Sequence, residues 1–234
     1  MKQDSTARLV GNLPGSRLLP FVLSVIAGSV DVIGFLGLGA LFIAHITGNI
    51  VVLAAKSVAG EDASVAHLLS VPIFVMALAA ARLFAAGLIR LRIATLRPLL
   101  TLQFLLLAVF LAICIAAGPA AGPNTTVTVF AAMLGVSAMA VQNALVQISL
   151  AGSPSTAVMT TNLTRLVVDL GETLFGAQAG DRARAATRVW GTGTAIAGFV
   201  AGCGLGARCQ SHFGLWSLAL PTGLALGTLA ITNT

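Results

Sequence analysis

The sequence predicts an all-α polytopic membrane protein with six transmembrane helices in two inverted three-helix repeats, each repeat holding a broken or re-entrant half-helix. Three observations predict it: a composition too apolar for water, six apolar runs long enough to span a bilayer, and one short word that occurs twice. Hydrophobic residues make up 57% of the chain and charged residues 9%, with a mean hydropathy of +0.99. A soluble domain of this composition cannot keep most of its apolar surface from water, so the soluble classes are excluded. The net charge of +6 does not point to nucleic acid. The Lys and Arg residues fall mainly in the gaps between apolar runs, without aromatic interleaving, and read as orientation signals facing anionic lipid.

In chain order, residues 1–17 form a polar cytoplasmic arm with Lys2, Arg8 and Arg17. The apolar run after Leu18 has the charge order of a signal peptide but continues past the usual apolar length into further membrane segments, so it is expected to be retained. Runs of about the ~20 residues that a span requires follow at 18–38, 66–88, 98–117, 125–149, 187–207 and 213–232. The first membrane repeat then covers 18–117, an external linker 118–124 and the second repeat 125–234. Within the repeats, small residues at a spacing of four provide close helix contacts: Ala77, Ala81 and Ala85 in one, Gly198, Gly202 and Gly206 in the other. Ser24 with Gly28, and Gly223 with Gly227, read likewise. Trp190 and Trp216 lie near segment ends, as interfacial anchors do.

Between the first and second spans lies Ala44 to Leu53 (AHITGNIVVL), and between the fourth and fifth lies Ala157 to Leu166 (AVMTTNLTRL). Both copies read Ala-x-x-Thr-x-Asn. Each stands after a long apolar helix and ahead of a more polar helical run, which ends in Lys56, Glu61 and Asp62 in one copy and carries Arg165, Asp169 and Glu172 in the other. Loop charges decide whether these pieces cross the membrane, because Lys and Arg in short loops favour the cytoplasm. If neither crosses, nine basic residues (Lys2, Arg8, Arg17, Arg90, Arg92, Arg97, Arg182, Arg184, Arg188) fall inside and two (Lys56, Arg208) outside. If both cross, the split falls to seven against four. Re-entrant pieces are favoured, with an eight-span bundle as the alternative. Three crossings per half start the second half on the opposite side, an inverted topology common among transporters.

The order AGSVDVIGFLGLG, AHITGN, VQNALV and VMTTNLTRLVVDLG resembles the YoaK-like family of small bacterial integral membrane proteins over about residues 20–232. The resemblance implies a compact multi-span protein of the bacterial inner membrane and assigns no biochemical activity. Patterns of that family carry Thr-Gly-Asn in both copies, whereas the second copy here is Thr160, Thr161, Asn162. That departure loosens any requirement for a glycine at the second site.

Candidate site residues follow from polar groups at membrane depth. Asp31 is the only acid inside a long apolar run, roughly 20 Å along its helix from the cytoplasmic end, and an intramembrane acid is a functional candidate by default. Two readings compete: a proton-coupling carboxylate, or an acid hydrogen-bonded to the entrance of the half-helix. Aligning Val30 with Val141 places Gln142, with Asn143 beside it, at the position matching Asp31. Thr47, Gly48 and Asn49, with Thr160, Thr161 and Asn162, read first as N-caps satisfying the free donors of a helix start. They read second as two positive helix ends converging on a solute pathway. His45 beside the first entrance is a secondary candidate. Arg82, Arg165 and Asp169 form a candidate gate on the cytoplasmic side, through an Arg82–Asp169 or an Arg165–Asp169 pair. Snorkelling of Arg82 is the plainer alternative.

Catalytic and metal residues are not expected. Cys114, Cys203 and Cys209 lack ligand spacing, and no phosphate loop, HExxH or Cys–His pairing is present. The expected function is an inner-membrane transporter or channel-like protein for a small polar or anionic solute, proton-coupled through Asp31. The alternative is a non-catalytic accessory or structural membrane protein. Neither needs a cofactor; the expected partners are the bilayer, the solute and further copies of the chain in a homo-oligomer, with no nucleic acid.

Overall fold

The computed structural model describes residues 14–60, 64–118, 121–176 and 178–232. Most of the expected arm, Glu61 and Asp62, and residues 119 and 120 of the linker lie outside the described residues. All regular structure among the described residues is helical: α1 Pro14–Gly37, α2 Ile46–Ala59, α3 Val65–Arg90, α4 Leu96–Ala117, α5 Thr126–Ser149, α6 Met159–Phe175, α7 Ala179–Phe213, a 3-10 turn Gly214–Leu218 and α8 Ala219–Ile231. The first helix already includes Pro14, four residues before the expected start.

Five segments are long and apolar enough to cross a membrane: Leu18–Gly37, Val65–Arg90, Leu96–Ala117, Thr126–Ser149 and Ala179–Ile231. The last is 53 residues long, which as one straight helix would extend about 80 Å. It reverses instead at Gly214, whose φ of 54° lies in the left-handed region where a Cβ is unwelcome.

Side-chain contacts fix the helix directions. Gly198 faces Phe21 and Ser24, Gly202 faces Val25 and Gly206 faces Ser29 and Val32, so α1 and α7 run side by side in one direction. A Cβ on Gly202 would sit 2.3 Å from the Val25 carbonyl oxygen. The expected glycine stripe is therefore a backbone-to-backbone contact, held where no hydrophobic force draws helices together. Helix α5 runs against α1: Gln142 reaches the Leu23 carbonyl, while Gly135 approaches Ile43, which packs on Gly34. Helix α4 runs against α5 through Thr95 with Ser149, Gln103 with Gln142 and Phe110 with Gly135. Helix α8 runs against α4, since Arg97 donates to Thr232 O and Thr222 to Leu107 O. Helix α3 runs with α5, as Arg82 meets Gln147 near both C-terminal ends.

Helices α1 and α5 form the centre, and α3 shows most of its apolar surface outward. Of the alanine stripe on α3, Ala81 and Ala85 are buried and Ala77 half-buried. The Gly223 and Gly227 expectation needs correcting: a Cβ at either meets nothing within 4 Å, so α8 makes no close helix contact there.

Two segments double back. After α1 the chain turns through Gly39 and Ala40, at φ 73° and 67°, and returns beside α1 until Ile43, Ala44 and His45 reach the level of Asp31. Helix α2 then leads out again, and Lys56 Nζ donates to Gly39 O at 3.2 Å. A non-glycine residue at positive φ is strained; His67 Nε2 holds Ala40 by donating to its carbonyl at 3.2 Å. The second segment leaves α5 at Ser149, turns through Gly152 at φ 90°, and reaches the level of Gln142 at Thr156. Helix α6 then leads back towards the start of α7, where Asp169 meets Arg188.

Candidate functional site

The first returned loop is organised by Asp31, which is buried on α1. Its Oδ1 accepts from the backbone N–H groups of Ile43 at 2.8 Å, Ala44 at 2.6 Å and His45 at 3.2 Å. Its Oδ2 lies 2.6 Å from His45 Nδ1, which acts as donor to the carboxylate. A loop carried into an apolar interior exposes N–H groups that no water reaches, and an acid on the neighbouring helix supplies the acceptor they lack. The His45 ring, half-buried, stands edge-on to Phe199 with centroids 5.2 Å apart. Asp31 is thus bound to the entrance of the half-helix.

Asn49 ties the loop a second time. Its Oδ1 accepts from Phe42 N and its Nδ2 donates to Phe42 O, both at 2.8 Å, so one amide satisfies both backbone groups of a residue seven positions earlier. The Phe42 ring lies over Gly48, where a Cβ would come within 2.9 Å of it. Glycine is required in the first copy because a phenyl ring occupies the space. In the second copy Ser155 stands at the position of Phe42, and Thr161 at the position of Gly48. A hydroxymethyl group leaves room for the larger residue, which accounts for the departure from Thr-Gly-Asn.

The capping expectation is corrected by this geometry. The N-cap positions are His45 and Val158, neither making a side-chain cap bond. Thr47, Thr160 and Thr161 are exposed, and both asparagines reach back to the returned loop rather than to the first turn of their own helix.

The second returned loop uses amides instead of an acid. Gln142 is fully buried; its Nε2 donates to Leu23 O and Thr156 Oγ1, both at 2.9 Å, and its Oε1 accepts from Gln103 Nε2 at 2.7 Å. Asn162 Nδ2 donates to Ser155 O at 2.6 Å. Its buried Oδ1 has no hydrogen-bond partner, unlike the corresponding oxygen of Asn49. Asn143 Nδ2 donates within its own helix to Met139 O. Gln103 and Thr156 were not among the sequence candidates. A lone amide in the apolar run of α4 could have marked the first; nothing in the sequence marked the second.

Beside this loop opens a cleft of about 410 Å³ lined by Arg82, Asn143, Gln147, Ser153, Ser155 and Arg165, among others. Arg82 and Arg165 are therefore brought together, but Asp169 is not with them. Its Oδ1 accepts from Arg188 Nε at 2.8 Å and lies 2.7 Å from Arg188 Nη2. Neither expected gate pair forms, because α7 carries a guanidinium to the acid before α3 or the next turn of α6 can supply one. Among the described residues no cluster of His, Cys, Asp and Glu is arranged to hold a metal ion.

No curated protein and no solved structure matches this chain. A family model does match, over a stretch consistent with the YoaK-like word order. The chain belongs to the family described as Protein of unknown function (DUF1275), matched over residues 19–231.

Proposed function

We propose that the chain is a multi-pass protein of the bacterial inner membrane, with cytoplasmic termini, that passes a small polar or anionic solute without catalytic chemistry or a cofactor. In this reading six helices cross, α1, α3 and α4 in one repeat and α5, α7 and α8 in the inverted second, while α2 and α6 are re-entrant. The observation that carries it is the pair of loops returning from opposite ends of the bundle to buried polar residues at matched positions, Asp31 and Gln142. Backbone that leaves the helical pattern at membrane depth is tolerated where it is buried in protein or lines a path, and in secondary transporters such breaks sit at the substrate site. The pathway runs past His45, Thr47, Gly48 and Asn49 on one side and Asn143, Thr160, Thr161 and Asn162 on the other. Proton coupling uses Asp31 through its partially exposed partner His45, whose side chain retains 34% of its accessible surface.

One observation favours the alternative of a structural or accessory protein: the polar groups of Asp31 and Asn49 are taken up by the loop itself. Reconstitution separates the two. Purified protein in sealed vesicles of phosphatidylethanolamine and phosphatidylglycerol, loaded with a pH-sensitive dye, should carry acetate, nitrate or phosphate at a rate above protein-free vesicles, and His45→Gln should remove the dependence on a pH gradient. Rates equal to empty vesicles for every anion, from protein that is folded and inserted, would leave the accessory role as the better reading.

A further inference from the structure

We propose that the cleft between α3, α5 and the second returned loop is a binding site for a phosphate-type oxyanion, gripped by Arg82 and Arg165. The two residues lie ~12 Å from the C-terminal end of α3 and ~15 Å from that of α6, so both guanidinium groups belong at a comparable distance inside the same end of the bundle. Among the described residues neither forms an ion pair with an acid. Arg82 donates to the amide oxygen of Gln147 at 3.3 Å. The acid one turn from Arg165, Asp169, is held by Arg188. Among the described residues no carboxylate lines the cleft. Both side chains are exposed at the cleft, where two like charges repel and an anion bound between them would relieve that repulsion.

The lining fits that anion. A guanidinium presents a planar fork of donors matching two oxygens of a phosphate or carboxylate. Ser155 Oγ accepts from Val158 N at 3.0 Å and Ala157 N at 3.3 Å, which leaves its own hydrogen free to donate. A cleft of about 410 Å³ falls in the range of small-molecule sites, so a phosphoryl group fits with room for what it is attached to. That group is either the headgroup of an anionic lipid entering from the inner leaflet or a free phosphate. The site stands whether or not the chain moves a solute, since binding needs no transport.

The test uses the full chain in lipid nanodiscs and measures binding directly. In phosphatidylcholine discs, inorganic phosphate at constant ionic strength should raise the unfolding temperature. Arg82→Gln and Arg165→Gln should each raise the half-saturating concentration about tenfold or more, the loss that goes with one charge-assisted hydrogen bond. In discs containing phosphatidylglycerol, native mass spectrometry should find anionic lipid retained on the wild type and less on both variants. A response confined to the first arm assigns a free oxyanion, and one confined to the second assigns a headgroup. If a glutamine variant fails to fold, Arg165→Lys, which keeps the charge and loses the fork, should show a smaller loss in the same direction. No response in either arm, a response to chloride equal to that for phosphate, or variants that bind like the wild type would overturn the proposal.

Discussion

The loop of residues 38–45 and the loop of residues 150–158 make the same excursion with different chemistry. In the first, a carboxylate on the central helix gathers three backbone N–H groups and an imidazole, and an asparagine satisfies both backbone groups of Phe42. In the second, Gln142 makes one bond to the loop through Thr156, Asn162 uses only its donor side, and its oxygen is left without a partner. The first loop is closed on itself, whereas the second borders the arginine-lined cleft. A repeated word therefore specifies a repeated path of the backbone, while the residues around each copy decide whether that path is sealed or left open to a ligand.

The largest expected effect breaks the sealed side. Asp31→Ala leaves three loop N–H groups and His45 without their acceptor, and removing one partner from a buried charged network costs about 3–5 kcal/mol. Thermal unfolding in detergent should fall sharply. Asp31→Asn keeps one carbonyl oxygen at the site and should cost less. If Asp31→Ala unfolds at the wild-type temperature, the carboxylate does not hold this loop.

The two asparagines test the asymmetry itself. Asn49→Ala abandons a buried donor and a buried acceptor of Phe42, at roughly 1–3 kcal/mol for each group left unsatisfied. Asn162→Ala abandons one acceptor, that of Ser155, and should cost about 1 kcal/mol because the unpartnered oxygen goes with it. Equal losses in unfolding measurements would mean that the two loops are held alike. Asn49→Asp is not a neutral probe of charge here, since its second oxygen would face the Phe42 carbonyl.

Most of this was legible as a set of residues and not as a set of partners. Asp31, Gln142, Asn49 and Asn162 declare themselves because polar side chains at membrane depth are costly and a word occurs twice. Most of their partners are backbone groups, of Phe42, Ile43, Ala44, His45, Ser155 and Leu23, and a backbone amide has no signature in sequence. The capping expectation failed for the same reason. Thr and Asn near a helix start are good caps in isolation, yet a carboxylate from another helix already serves the first entrance. Four of the apolar runs came through as separate segments with helix ends shifted, while the last two fall in one segment, Ala179–Ile231: the gap expected at 208–212 is helical, and the chain breaks later, at Gly214–Leu218, inside the last expected run. Asp169 was assigned the wrong arginine because sequence distance favours Arg165, one turn away, over Arg188 on the next helix.

Steric complementarity gives a smaller effect. Gly48→Thr copies the second word into the first and drives a side chain into the Phe42 ring, an overpacking that costs about 1–3 kcal/mol. Combining it with Phe42→Ser copies both halves of the second arrangement and should recover part of the loss in unfolding temperature. A double variant less stable than Gly48→Thr alone would show that the ring contributes more by its burial than it takes up in space.

The smallest expected effect concerns the acid that stands outside the cleft. Asp169 is buried and paired with Arg188, whose side chain is half exposed; an asparagine keeps an oxygen that accepts from that guanidinium, so the substitution removes the charge without leaving a buried donor unsatisfied. Asp169→Asn should therefore leave the unfolding temperature nearly unchanged. It should also leave phosphate binding in the Arg82–Arg165 cleft nearly unchanged, because Asp169 neutralises neither of those arginines. A gate built on Asp169 predicts the opposite, since removing the acid would release Arg82 or Arg165 and strengthen anion binding. Titrating phosphate against the Asp169→Asn protein at two salt concentrations distinguishes them: a large gain in affinity that shrinks at high salt would return Asp169 to the cleft, and an unchanged half-saturating concentration keeps the open side of the molecule free of its own counter-ion.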